Sequence, residues 1–255
     1  MNYPIFSLSG KKALVTGGTR GIGRALALGL AQAGAAVAVI GQNETLLKKV
    51  NDEIQALDRK SYYRVMNVRN LASIQSGVED CRQALGGLDI LINNAGFEQV
   101  CDSLEVDSAI WDSILDTNLK GAFFCAQAAG RIMSDSGGGT IVNVCSLSSS
   151  VGIPKALPYT CSKSALLGMT RGLSSEWSPK KIRVNAIAPG YFWTDLTDDL
   201  FQNETWKKNM IVKIPMRRFG HVQDLIGVTV FLCSQASEYI SGQMITIDGG
   251  YLAPI

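Results

Sequence analysis

Tyr159 and Lys163 stand four residues apart in a stretch of helical period, so their side chains leave one helix face a single turn apart. That pairing suits proton transfer at a carbon–oxygen bond. A carbonyl being reduced takes up a proton on oxygen, and an alcohol being oxidised gives one up. A phenol with an ordinary pKa of about 10 can do both near neutral pH when a cation beside it makes the phenolate accessible. Lys163 supplies that charge. Ser146, at the end of a predicted strand, and Asn118, further upstream, complete the constellation.

A second group handles phosphate. The run Ala13, Leu14, Val15 leads into Thr16, Gly17, Gly18, Thr19, Arg20, Gly21, Ile22 and Gly23, after which helical period begins. Glycines allow positive φ and let backbone amides approach a phosphate, which the positive end of a helix also favours. The spacing is G-x-x-x-G-x-G, and the same glycines would serve a turn that merely joins strand to helix.

Short β-branched runs alternate with longer helical segments, the pattern of a parallel sheet covered on both faces. Strands are predicted near Lys11 to Thr16, Ala36 to Ile40, Tyr62 to Met66, Leu88 to Ile92, Gly139 to Cys145, Ile182 to Ile187 and Gln243 to Ile247. Helices are predicted near Ile22 to Ala33, Thr45 to Leu57, Leu71 to Leu85, Asp112 to Met133, Ala156 to Trp177 and Val222 to Ser234. The expected fold is a single-domain, doubly wound Rossmann-type α/β sheet of about seven parallel strands spanning residues 1–255. Tyr191 to Pro215 fits neither a strand nor a clean buried helix, and its place after the sixth strand suggests a substrate lid.

Composition narrows the partners. With 46% hydrophobic residues, 18% charged residues and a net charge of +2, the chain reads as globular, with no general attraction for nucleic acid or an anionic membrane. The first twelve residues lack the pattern of a secretion signal, and the apolar stretch Ala25 to Ile40 is interrupted by Gln32 and Gly34, so a cytoplasmic location is expected. The six cysteines show no C-x-x-C spacing and are read as reduced, mostly core residues, with no metal site. His221 is the only histidine and no nucleophile elbow accompanies it, which argues against a Ser-His-Asp hydrolase.

The glycine spacing, Asn93-Asn94-Ala95-Gly96 after the fourth strand, Asn118, Ser146 and Tyr159-x-x-x-Lys163 follow one another at successive strand ends. In that order they resemble the short-chain dehydrogenase/reductase family over nearly the whole chain. The resemblance implies that Ser146 hydrogen-bonds the substrate oxygen and that Tyr159 is the general acid/base. It also implies that Lys163 holds the nicotinamide ribose and Asn118 a water leading to solvent. Asn94, Ala95 and Gly96 would line the cofactor, as would Pro189, Gly190 and Thr194 after the sixth strand. Asn67-Val68 stands where the family usually has Asp-Val facing the adenine amino group.

Cofactor preference is set after the second strand, where an acid would bind the ribose of NAD and repel the extra phosphate of NADP. Gly41 and Gln42 stand there instead, and Arg20 precedes the middle glycine of the turn. A guanidinium suits a phosphate, so NADP(H) is expected over NAD(H), although Arg20 would equally serve as a solvated helix-start residue.

Ser148, Phe192 and Trp193 are expected beside the substrate, with Lys155 and Gln99 near the pocket mouth. The aromatic and aliphatic residues Tyr191, Phe192, Trp193, Leu196, Leu200, Phe201 and Trp206 would form either an apolar ceiling or packing for the last helix. The chain ends resemble the family's sugar-acid dehydrogenases, such as gluconate 5-dehydrogenase and 2-deoxygluconate 3-dehydrogenase, and also its 3-oxoacyl-carrier-protein reductases. The expected partner is a small carbonyl or alcohol. A cofactor-binding sensor without turnover is the alternative, which the complete Asn118, Ser146, Tyr159 and Lys163 set opposes. Small residues on the helices carrying Asn118 and Tyr159 imply a homotetramer by the same resemblance, with a dimer as runner-up.

Overall fold

The computed structural model describes residues 4–193 and 202–254. Seven strands form one parallel sheet in the order β3-β2-β1-β4-β5-β6-β7. They are β1 (Lys12–Thr16), β2 (Ala36–Gly41), β3 (Ser61–Val65), β4 (Ile90–Asn93), β5 (Gly139–Val144), β6 (Ile182–Pro189) and β7 (Met244–Ile247). The central strands are mostly apolar because both faces are covered, with buried exceptions such as Asn93 and Asn143. Ala13 and Val15 of β1 point into one cluster with Leu26, Leu30, Val50 and Leu232, while Leu14 between them joins Val78, Cys81, Cys125 and Ala129 on the other face.

Chain order reverses at β1, which pairs with β2 on one side (Ala13↔Val37) and with β4 on the other (Ala13↔Ile90). Loops leaving the carboxyl ends of β1 and β4 therefore diverge, and a crevice opens between them.

The flanking helices are α1 (Gly21–Gln32), α2 (Glu44–Gln55), α3 (Leu71–Leu85), α4 (Ser108–Leu115), α5 (Ala122–Asp135) and α6 (Leu157–Trp177). Local chemistry sets their ends: the Asn43 and Asp107 side chains accept the Leu46 and Ile110 amides at 3.0 and 2.8 Å, and α3 stops at Gly86 in the left-handed region. Buried amides tie sheet to helices. Asn93 Nδ2 donates to Asn143 Oδ1 and to the Ala122 carbonyl, both at 3.0 Å, and Asn143 Nδ2 donates to Thr170 of α6 at 2.9 Å. These bonds fix how α5 and α6 seat on β4 and β5, and they leave Asn93 Oδ1 as a buried acceptor without a partner among the described residues.

Three elements differ from the sequence expectation. The helix expected over Asp112 to Met133 begins at Ser108 and passes through a π-helical segment, Asp116–Gly121, between α4 and α5. That register change seats Gly121 against Val68, whose carbonyl oxygen would lie 2.7 Å from any Cβ there. The expected lid contains a helix, Glu204–Ile211, capped by Asn203. The last helix opens with a 3-10 turn, Val222–Leu225, before Ile226–Cys233. Among the described residues, no helix is long and apolar enough to cross a membrane, and no group of His, Cys, Asp or Glu is placed to hold a metal. Cys81, Cys125, Cys145 and Cys233 are buried free thiols, while Cys101 and Cys161 are partly exposed.

Candidate active site

One cleft of about 890 Å³ runs along the crevice at the carboxyl ends of the strands. At one end lies the glycine turn. Gly17 and Gly21 have φ of 65° and 51°, which β-carbon-bearing residues rarely adopt. Gly23 is needed for space, because a Cβ would lie 2.2 Å from the Gly17 carbonyl oxygen. The turn is braced from β4: Asn94 Nδ2 donates to the Thr16 and Gly17 carbonyls at 3.0 Å, and Thr16 Oγ1 accepts the Asn94 and Ala95 amides at 3.1 Å. No side chain caps α1, so its first-turn amides are left for a ligand oxygen. A pyrophosphate fits this cradle.

Of the expected cofactor residues, Gly17, Thr19, Arg20, Gly21, Ile22 and Gly23 line this end, with Gln42, Asn67 and Val68 beyond them. Asn94, Ala95, Gly96, Pro189 and Gly190 line the passage to the other end. Thr194, Leu196, Leu200 and Phe201 lie outside the described residues. Asn43 and Arg69 also line the cleft; Arg69 follows the Asn67-Val68 pair and was readable from that position.

At the far end α6 presents Tyr159 and Lys163. Pro158, the second residue of α6 and one ahead of Tyr159, has a fixed φ that suits the first turn of a helix. The Lys163 ammonium is buried, donates to the Val144 carbonyl at 2.7 Å and lies 5.5 Å from the centroid of the Tyr159 ring. Ser146, in hydrogen-bonding contact with the Tyr159 hydroxyl, also accepts the Ser148 amide at 3.2 Å. Burial pushes the Tyr159 phenol well above its ordinary range; Ser146 draws it back, and the charge of Glu98 adds to the rise. Burial pushes Lys163 down to about 8, with Cys145 and Glu98 opposing. The phenol is therefore held as a proton donor, beside a lysine still protonated at neutral pH.

Asn118 is placed behind the cleft. Its Oδ1 accepts the Phe97 amide at 2.9 Å, and its Nδ2 donates to the Phe97 carbonyl at 2.9 Å and to Ser162 at 3.1 Å. The π-helical segment delivers it there, against Gly96, where a Cβ would lie 3.0 Å from Asn118 Oδ1 and 3.5 Å from Lys163 Nζ.

The expected substrate residues divide. Phe192 lines the cleft, buried and bridged to Gly220. Trp193, 62% exposed, faces outward, because adjacent residues in extended chain point to opposite sides and Phe192 takes the inner place. Ser148 is buried away from the cleft lining, as its amide is drawn toward Ser146 and its carbonyl toward Ser164. Gln99 and Lys155 are exposed outside the lining. Glu98, Ile153 and Tyr191 line this end instead. Glu98 carried no periodic or motif signal of its own beyond its place two residues after Gly96.

A family model described as "Enoyl-(Acyl carrier protein) reductase" matches residues 17–252. The chain is 39% identical to gluconate 5-dehydrogenase of Gluconobacter oxydans, covering 98% of both chains. A crystal structure from Sinorhizobium meliloti 1021, provisionally described as a short-chain alcohol dehydrogenase, superposes with a TM-score of 0.96 at 55% identity, covering 98% of this chain and 99% of the other. A gluconate 5-dehydrogenase from Burkholderia cenocepacia J2315, in complex with NADP and tartrate, superposes with a TM-score of 0.95 at 33% identity, covering 98% of each.

Proposed function

The chain belongs to the short-chain dehydrogenase/reductase family and is an NAD(P)(H)-dependent oxidoreductase acting on CH–OH groups, and on that premise we propose which residues carry the reaction and on what. The observation supporting the reading is that Ser146, Tyr159 and Lys163 meet at one end of a cleft whose other end is a glycine-built phosphate cradle. Bound nicotinamide supplies hydride to a carbonyl carbon, or accepts it from a carbinol carbon.

In reduction, Ser146 holds the carbonyl oxygen and Tyr159 gives its phenol proton to that oxygen as charge develops there. Lys163 stabilises the phenolate left behind and anchors a ribose hydroxyl. Oxidation runs the same transfers backward. With its side chain committed to Phe97 and Ser162, Asn118 positions the loop after β4 beside Lys163 and offers only its backbone to a water.

The cofactor proposal is NADP(H) over NAD(H), supported by Arg20 in the cleft and the missing acid after β2. The substrate is proposed to be a polyhydroxylated ketone or secondary alcohol, the class to which the sugar acids in the relatives' names belong, ahead of a 3-oxoacyl thioester. Residues 1–255 act as one catalytic domain with a lid at 191–215, assembled as a cytoplasmic homotetramer.

Initial rates with NADPH and NADH over keto sugar acids, ketoses, acetoacetyl thioesters and aryl ketones test this, beside Tyr159→Phe. Turnover by the native chain with a loss of at least about a thousandfold in Tyr159→Phe, at unchanged cofactor affinity, is expected for a lost general acid. Equal turnover by both proteins would remove Tyr159 from the chemistry.

A further inference from the structure

Among the described residues, Glu98 is a carboxylate without a hydrogen-bond partner on the wall of the cleft's chemical end. It lies in the loop that Asn118 pins through Phe97, so its backbone is held from the preceding residue. Its charge reaches the groups that matter there, as it acts on Tyr159, Lys163 and Tyr191. Burial raises its own pKa, and the Lys163 ammonium opposes that rise.

The cations of the cleft lining are Arg20, Arg69 and Lys163. The two arginines belong to the glycine turn and to the loop after β3, at the phosphate and adenosine end. Lys163 already donates to the Val144 carbonyl and faces Tyr159. Among the described lining residues, therefore, the chemical end offers an anionic substrate a negative neighbour and no unassigned cation.

In a six-carbon sugar acid the carboxylate lies within about 5 Å of a carbinol carbon four bonds away. Like charges at such separations, partly shielded from water, oppose binding by about tenfold or more. Glu98 can instead accept hydrogen bonds from two neighbouring substrate hydroxyls, which a neutral polyol provides.

We propose that Glu98 is a specificity-determining residue that accepts hydroxyls of a neutral polyol or ketose and rejects the corresponding sugar acid. The inference rests on the dehydrogenase reading above and narrows its substrate class. It separates this chain from the relatives named for gluconate, with which it shares 33–39% of its residues.

The test compares D-glucitol with D-gluconate, which differ only in a hydroxymethyl group against a carboxylate, as substrates of the native enzyme with NADP. The ratio of the two kcat/KM values is read in native protein, Glu98→Gln and Glu98→Ala, so that any general loss of activity cancels. The native enzyme is expected to favour D-glucitol at least tenfold, and both variants to cut that preference at least fivefold. A preference for D-gluconate, or a ratio unchanged within twofold in the variants, overturns the inference. The same two compounds are titrated into NADP-bound protein by calorimetry. If neither is oxidised but the native protein binds D-glucitol more tightly and Glu98→Gln equalises the two, the Glu98 assignment stands and the proposed activity falls. Binding of neither compound overturns the inference.

Discussion

Replacing Gly23 by alanine isolates the contribution of the glycine cradle. In a bare helix that change is favourable by about 1 kcal/mol. Here the new Cβ meets the Gly17 carbonyl oxygen at 2.2 Å and Asn94 Nδ2 at 2.4 Å, where ordinary contact begins at 3.4 Å. No rotamer relieves a clash with backbone, so the turn and α1 must separate by about 1 Å, straining the Asn94 bond to Gly17 at a cost of about 1 kcal/mol. Overpacking of this kind costs about 1–3 kcal/mol, so together with the strained bond it outweighs the propensity gain and leaves a net loss of about 1–3 kcal/mol. Gly227, in the last helix with nothing within 4 Å of an added Cβ, is the control. Thermal unfolding should show Gly23→Ala lower in Tm by roughly 3–10 °C and Gly227→Ala unchanged or higher. Fluorescence titration should show a rise of at least about tenfold in the NADPH Kd for Gly23→Ala alone, since about 1 Å of displacement is costly at a preorganised site. Equal Tm and Kd in the two variants would refute the close-approach argument.

Three other outcomes are expected. Because burial depresses Lys163 to about 8, its ammonium is present below that pH and lost above it, so kcat/KM for reduction should fall as pH rises through about 8; a flat profile from about pH 6 to 9.5 would contradict this. Arg20→Ala should raise the KM for NADPH about tenfold or more with less than a twofold change for NADH, and equal changes would assign Arg20 to the shared pyrophosphate. Gly168, exposed on α6 with nothing within 4 Å of a Cβ, tests assembly: Gly168→Ala stabilises an uncovered helix by up to about 1 kcal/mol but breaks a closely packed oligomer, so a shift to smaller species by light scattering is expected.

The strands were legible because the parallel sheet is buried on both faces and writes itself as short apolar β-branched runs, such as Ala13 to Val15 and Ile90 to Ile92. The pairing of Tyr159 with Lys163 was legible because they lie one turn apart on a single helix. The π-helical segment left no such trace: its extra residue per turn answers the meeting of Gly121 with Val68 and of Asn118 with Phe97, contacts between distant parts of the chain. Asn203 followed by Glu204 carried a readable cap for the helix inside the expected lid. The choice between Phe192 and Trp193 turned on which of two neighbouring aromatics faced inward, and a stretch without regular period does not decide that. Glu98 entered the site through loop geometry alone.

The reversal of strand order at β1 bears on how the molecule assembles itself in time. The Lys12 amide donates to Asp89 at 2.8 Å across 77 residues, beside the β1–β4 pairing, whereas β1 and β2 are joined within a single crossover. Closing so long a stretch costs more chain entropy before any contact repays it, so this seam is expected to knit later than the β1–β2 pair. The cleft lies along the seam. A ligand that bridges it engages only after closure, and should lengthen the lifetime of the folded chain while leaving its rate of folding nearly untouched.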